Sequence, residues 1–341
     1  MNDDQKMLRD ALIGRLATKD GDAAWAELGQ ADVLWLCVPT ALGGLGLCVA
    51  DATPVMEALG EYCLPTPFLE NSIIAVRLLT AARSAEGDRL LCSLTASGGH
   101  IAVAGLDSGL WGDLRAESLG GNWTISGTAR LVLDTDKASA LLLIAPNAGL
   151  PALFLLPGDA GSERHHYATI DGRKASDVRF DQEPATLLIA DASEIVEVVT
   201  DEAIACLAVE AAALMARLVR DTVDYAKQRQ QFGQPIAKFQ VVQHRLVDMN
   251  IQARRAAAIA SRAMAALAES GSERARVVSA AKVTVAQAGR SIGQQAVQLH
   301  GGMGMTMELT IGRYFKRLTV IEGEFGNADR HLQRYAATLA A

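Results

Sequence analysis

The sequence predicts an α+β multidomain chain with an N-terminal helical domain, a small middle β-barrel or sandwich domain and a C-terminal four-helix bundle. Three observations predict it. Residues 1–97 combine helical segments with Gly/Pro-rich loops, residues 98–192 switch to a two-residue period, and residues 193–341 return to helical periodicity.

In the first zone, Asp51 is positioned to cap a helix over 52–62, and Pro65 and Pro67 punctuate before a second helix over 68–83. Gly43-Gly44-Leu45-Gly46 is a loop between helices, because the third glycine of a dinucleotide fingerprint would fall on Val49. In the second zone Trp123–Ile125 alternates, Ser126-Gly127 reads as a hairpin turn, and Ala129, Leu131 and Leu133 alternate again. The apolar runs Leu141–Ile144 and Leu153–Leu156, parted by Gly149-Leu150-Pro151, suit buried strands, as does Ala175–Phe180. In the third zone three stripes step by three and four: Ile204, Leu207, Ala211, Leu214 and Leu218; Val242 to Leu267; and Val277 to Leu299. A fourth helical segment runs from about Glu308. Alanine recurs on the stripes, so the helices can approach closely.

The composition narrows the function. Of 341 residues half are hydrophobic and 21% charged, the balance of a folded globular chain. A net charge of −7 without a basic block gives no footprint for nucleic acid. No apolar run reaches the length of a membrane span, and the N-terminus has no signal-peptide pattern. The five scattered cysteines read as reduced thiols, so a cytoplasmic setting and no metal ligand set are expected.

Two segments depart from pure packing. Tyr225-Ala226-Lys227-Gln228-Arg229-Gln230-Gln231-Phe232-Gly233-Gln234-Pro235-Ile236, followed by Phe239-Gln240, lies between two long helices. It offers a cation, amides and a ring, the parts that hold a phosphorylated aromatic cofactor, although a polar helix corner would look the same. Gln298-Leu299-His300-Gly301-Gly302-Met303-Gly304 has three glycines in four positions. That is either a glycine helix cap or a backbone cradle for a ligand.

Together these two segments resemble the signature of the acyl-CoA dehydrogenase family. Val38-Pro39 with Gly43–Gly46, Glu57–Gly60, Ile125–Thr128 and Val178–Phe180 resemble further stretches of it, so the likeness covers nearly the whole chain. The resemblance implies an FAD site between Tyr225 and Gln333, with Arg229, Gln231, Phe232, Gln240, Gln298, Gly301, Gly302 and Gly304 as cofactor-binding residues. It implies an acyl-CoA substrate and electron-transfer flavoprotein as acceptor. It also implies a homotetramer, or a heterotetramer with another acyl-CoA dehydrogenase-like chain. The family's base is a glutamate, which in Val320-Ile321-Glu322-Gly323-Glu324 falls on Glu322; a surface carboxylate would explain Glu322 or Glu324 equally well. The alternative base position of some members falls on Ala203, beside Glu202. The family's "WITNG" is replaced here by Ala129–Asp134, its "TEPGxGSD" by Ala104–Gly109, and the threonine after "EG" by Glu324. Short members with such replacements resemble subunits of heteromeric and steroid-side-chain enzymes. A catalytically silent partner subunit is therefore the alternative to an enzyme that uses Glu322.

Overall fold

The computed structural model describes residues 2–301 and 310–340. The chain divides into two compact units that cut across the three zones of the sequence. A helical unit comprises Met1–Lys19, Ala52–Leu64 and Ile204–Ala341, and a sheet unit comprises Asp20–Asp51 and Pro65–Ala203.

The sheet unit begins with α2 (Gly21–Gln30), the second helix of the chain after α1 (Asp3–Leu16). Asp20 caps α2 by accepting from Ala23 N at 2.9 Å. Gly43–Gly46 forms a tight turn in which a Cβ on Gly44 would collide with the Val38 carbonyl. Residues 68–83 are helical, but Leu69–Ala75 is wound as a π-helix that runs into α4 (Val76–Ala82), followed by α5 (Ala85–Ser97). Seven strands follow: β1 (Ile101–Ala104), β2 (Arg115–Leu119), β3 (Asn122–Leu133), β4 (Ala140–Asn147), β5 (Leu150–Pro157), β6 (Glu163–Ala168) and β7 (Lys174–Ile189). Their order is β1-β4-β5-β7-β3-β2 with β6 on β7, and only β1–β4 is parallel. β1 also lies against β3, and β2 against β4, without pairing, so the sheet folds back into two layers. The layers enclose Ile125, Val132, Leu141, Leu143, Phe154, Leu156, Val178 and Phe180.

The expected hairpin at Ser126-Gly127 is absent, since β3 runs through it. Gly127, at φ +106°, sits at a register shift, and a Cβ there would collide with the Asp113 carbonyl. The glycine marks a β-bulge. The hairpin turns lie at Gly120-Gly121 and Ala148-Gly149, each with two positive φ values as a type I′ turn requires.

In the helical unit, α1 opens on a capping box between Asn2 and Gln5. α3 (Thr53–Tyr62) begins after a 3₁₀ turn, so Asp51 does not cap it; its carboxylate accepts from Cys48 N at 3.1 Å instead. The long helix α6 (Ser193–Gln228) is buried on all sides over Ile204–Ala212. There Gly60 of α3 approaches closely enough that an added Cβ would lie 2.5 Å from Glu210 O. α7 (Gln240–Ala266) and α8 (Gly271–His300) pack against each other, and α9 (Thr310–Gly323) and α10 (Ala328–Ala340) both pack on α8. Along α7 the inward stripe is Met249, Ala253, Ala256, Ala260 and Ala263; Ala257 of the expected stripe faces out.

Candidate functional site

The corner after α6 is a miniature hairpin. Gln230–Gln231 pairs with Gln234–Pro235 around Phe232-Gly233, and Ile236 N donates to Arg229 O at 2.8 Å. Closing so tight a loop needs two residues at positive φ, here Phe232 at +53° and Gly233 at +79°. A bulky residue rarely adopts that conformation. The turn presents the Phe232 ring 92% exposed, braced only edge-on by Phe239 at 6.1 Å. Arg229, Gln231 and Gln240, the first residue of α7, are also exposed.

The second motif closes α8. Gln298 is exposed in its last turn, and Gly301 takes φ +61°, with nothing within 4 Å of where a Cβ would stand. Gly302 and Gly304 lie outside the described residues. The two motifs are joined by a contact that the sequence did not announce. The Tyr225 and His300 rings stack with centroids 4.2 Å apart, and the Tyr225 hydroxyl donates to His300 O at 3.4 Å. Burial pulls the His300 pKa down, and its Nδ1 faces the Ala296 carbonyl at 2.8 Å. Facing an acceptor, Nδ1 carries a proton and donates it to that carbonyl, which fixes the orientation of the ring. The end of α6 and the end of α8 are thereby held side by side.

These features fit the expected FAD. An exposed guanidinium, an exposed ring, three exposed amides and an open glycine are the donors, stacking face and clearance that a dinucleotide asks of a surface.

Glu322 occupies the last turn of α9. Arg290 of α8 grips it from two sides: Nε donates to Oε2 at 3.1 Å and Nη2 donates to Oε1. The carboxylate side chain is 17% exposed, the guanidinium side chain 63%. Glu324 belongs to a separate, deeper network. Its Oε1 accepts from Arg317 Nη1 at 3.2 Å, and Arg317 donates to both oxygens of buried Glu210 at 2.7 and 2.9 Å. Buried Lys282 donates to the carbonyls of Ile321 and Glu324, closing the turn from below. Neither acid is therefore a free surface carboxylate. At the other position, Ala203 is buried and Glu202 accepts from Arg77 Nε at 3.1 and 3.0 Å. Arg290 and His300 are ten residues apart on α8, so the Glu322 grip sits roughly 15 Å along that helix from the Tyr225 stack. Sequence reasoning missed Arg290, Lys282 and Arg317, whose partners are far away in the chain. The one available signal was Gly289 and Gly293, one helical turn apart on either side of Arg290.

Comparison with known proteins agrees with this geometry. The profile "Acyl-CoA dehydrogenase, C-terminal domain" matches residues 197–340. Acyl-CoA dehydrogenase IpdE2 of Mycobacterium tuberculosis is 26% identical over 331 residues, covering 92% of this chain and 91% of the relative. Among solved structures, a variant of the Tcur3481–Tcur3483 steroid acyl-CoA dehydrogenase superimposes with a TM-score of 0.89 at 25% identity, covering 99% of this chain and 98% of the other. The ChsE4–ChsE5 complex of Mycobacterium tuberculosis shares the fold with a TM-score of 0.87 at 23% identity, over 100% and 98% of the two chains. With its helical corner, its glycine-ended α8 and its two-layered sheet, the chain is similar over nearly its whole length to acyl-CoA dehydrogenases, and residues 197–340 match that family's C-terminal domain.

Proposed function

We propose that the chain carries out FAD-dependent α,β-dehydrogenation of an acyl-CoA thioester to the trans-2-enoyl-CoA, with Glu322 as the base that removes the α-proton. The observation that carries this reading is the Tyr225–His300 stack, which joins the Arg229–Gln240 corner to the Gln298–Gly301 helix end within the segment matching the family domain. FAD, when bound, supplies the two-electron acceptor that takes the β-hydride at N5. Arg229 answers the phosphate charge, the Phe232 ring covers a flat face, and the amides of Gln231, Gln240 and Gln298 bond to polar edges. Gly301 leaves room for the backbone to approach, and Gly302 and Gly304 belong to the same proposed cofactor-binding set. A Glu322 oxygen accepts the Cα proton, while the two electrons of the Cβ–H bond leave with the hydride. The carbanion pair left at Cα closes the double bond.

A second reading has its own observation. Glu322 is already engaged by Arg290, and Phe232 projects beyond its own chain. Both features favour a subunit that lends Arg229, Phe232 and Gly301 to the flavin of another acyl-CoA dehydrogenase-like chain in a heterotetramer, whereas the first reading is also met by a homotetramer. In either case the reading includes electron-transfer flavoprotein as acceptor and a cytoplasmic setting. All five cysteines are free thiols, and no helix among the described residues is long and apolar enough to cross a membrane.

The test expresses the chain alone and with a co-expressed neighbour, then follows flavin bleaching by linear, branched and steroid-derived acyl-CoAs. A yellow homomer whose Glu322→Gln variant no longer bleaches supports the first reading. A colourless chain that acquires FAD only with its neighbour supports the second. Bleaching by Glu322→Gln at the wild-type rate removes Glu322 from the role of base.

A further inference from the structure

The turn that carries Glu322 is anchored on every side but one. α9 lies tightly on α8, because a Cβ on Gly293 would collide with the Phe315 ring and one on Gly289 would stand 3.3 Å from Leu318. Lys282 holds the carbonyls of Ile321 and Glu324, and Arg317 holds the Glu324 carboxylate. The Glu322 side chain is thus fixed and mostly shielded, while the Arg290 guanidinium is mostly in solvent. Between these two partners, the arginine is the one free to move. Beyond Glu322, Arg290 also feels Asp329 of α10, a weaker and more distant attraction.

Building on the reading of Glu322 as the base, we propose that Arg290 is a positioning residue that holds the Glu322 carboxylate in reserve, so that the α-proton is accepted only when the guanidinium swings aside. Both carboxylate oxygens carry a charge-assisted hydrogen bond in the pair, and neutralising the acid forfeits that attraction. The arginine therefore tunes the base without touching substrate. An exposed partner limits the effect to about fivefold in rate.

The experiment compares wild type, Arg290→Met, Arg290→Lys and Glu322→Gln in two assays. In cofactor-free protein, carbodiimide with glycine ethyl ester labels accessible carboxyls, and mass spectrometry reads the rate at Glu322. In the flavin-loaded protein, stopped-flow bleaching by the best acyl-CoA of the panel gives a limiting rate and an apparent dissociation constant. The proposal expects faster labelling of Glu322 in Arg290→Met. It also expects a limiting rate about fivefold higher, with the dissociation constant within roughly twofold of wild type and Arg290→Lys in between. Equal labelling of Glu322 in wild type, Arg290→Met and Arg290→Lys overturns it, as does an unchanged or lower limiting rate in Arg290→Met. The base assignment fails separately, on wild-type bleaching by Glu322→Gln.

Discussion

The corner after α6 and the turn that closes α9 are both short and polar, yet they are built in opposite ways. The corner keeps Arg229, Gln231, Phe232 and Gln240 in solvent and spends an unfavourable backbone conformation on displaying a ring. The turn at 321–324 is cross-linked by Arg290, Lys282 and Arg317. The difference teaches that the corner proposed to hold the flavin leaves its side chains in solvent, whereas the acid-bearing turn is completed by the protein itself. Substitutions in the turn should therefore cost stability, and substitutions at the corner should cost flavin retention.

The sharpest break of the comparison is Arg317→Met. It strands buried Glu210 without its partner, and the loss should be about 3–5 kcal/mol in urea unfolding of the apo-protein. A loss under about 1 kcal/mol would mean that the buried pair is dispensable. Gly60→Ala, which forces a methyl against Glu210 O where α3 crosses α6, should cost about 1–3 kcal/mol by the same measurement, with m unchanged. At the corner the sign reverses. Phe232→Gly relieves the positive φ and should leave the apo-protein as stable or more stable by up to about 1 kcal/mol, while the purified protein carries less flavin. Loss of stability there would show that the ring packs rather than presents.

The smallest effect concerns His331, which is buried and faces Ser279 Oγ at 3.3 Å and Phe325 O at 3.0 Å. Burial first, and then Lys282, Arg334 and Arg330, pull its pKa below the usual histidine value. The unfolded chain therefore binds a proton that the folded chain refuses. The contribution is complete above the unfolded value near about 6.5 and drains away as pH falls below it. Thermal unfolding of wild type should lose ground as pH falls below about 6.5, and His331→Gln should flatten that slope. Identical slopes would exclude His331 as its source.

Much of the architecture was legible because periodicity is local. The α6 stripe from Ile204 to Leu218 is buried as its three- and four-residue steps required, and the runs at Leu141 and Leu153 became paired central strands. What failed depended on neighbours distant in sequence. Ser126-Gly127 has turn composition, yet the Asp113 backbone makes it a bulge. The π-helix at Leu69–Ala75 has no composition of its own. The exposure of the corner's residues could be read from their chemistry, since a cation and amides in one short glycine-containing loop are shed to the surface. The hold on Glu322 could not, because its arginine lies thirty-two positions earlier and is ordinary until α9 is laid over Gly289 and Gly293.

The interleaving of the two units has a consequence for the ribosome. α1 belongs with a helical unit whose main mass begins at Ile204, whereas every residue of the sheet unit has been made once Ala203 is added. At roughly 5–20 residues per second, α1 meets its packing partner α3 within about 2–10 seconds, and the pair then waits about 7–28 seconds for Ile204 and the rest of the helical unit. During that interval the nascent chain is a sheet unit with an isolated helix pair, which makes α1 and α3 the place where a chaperone would be expected to hold on.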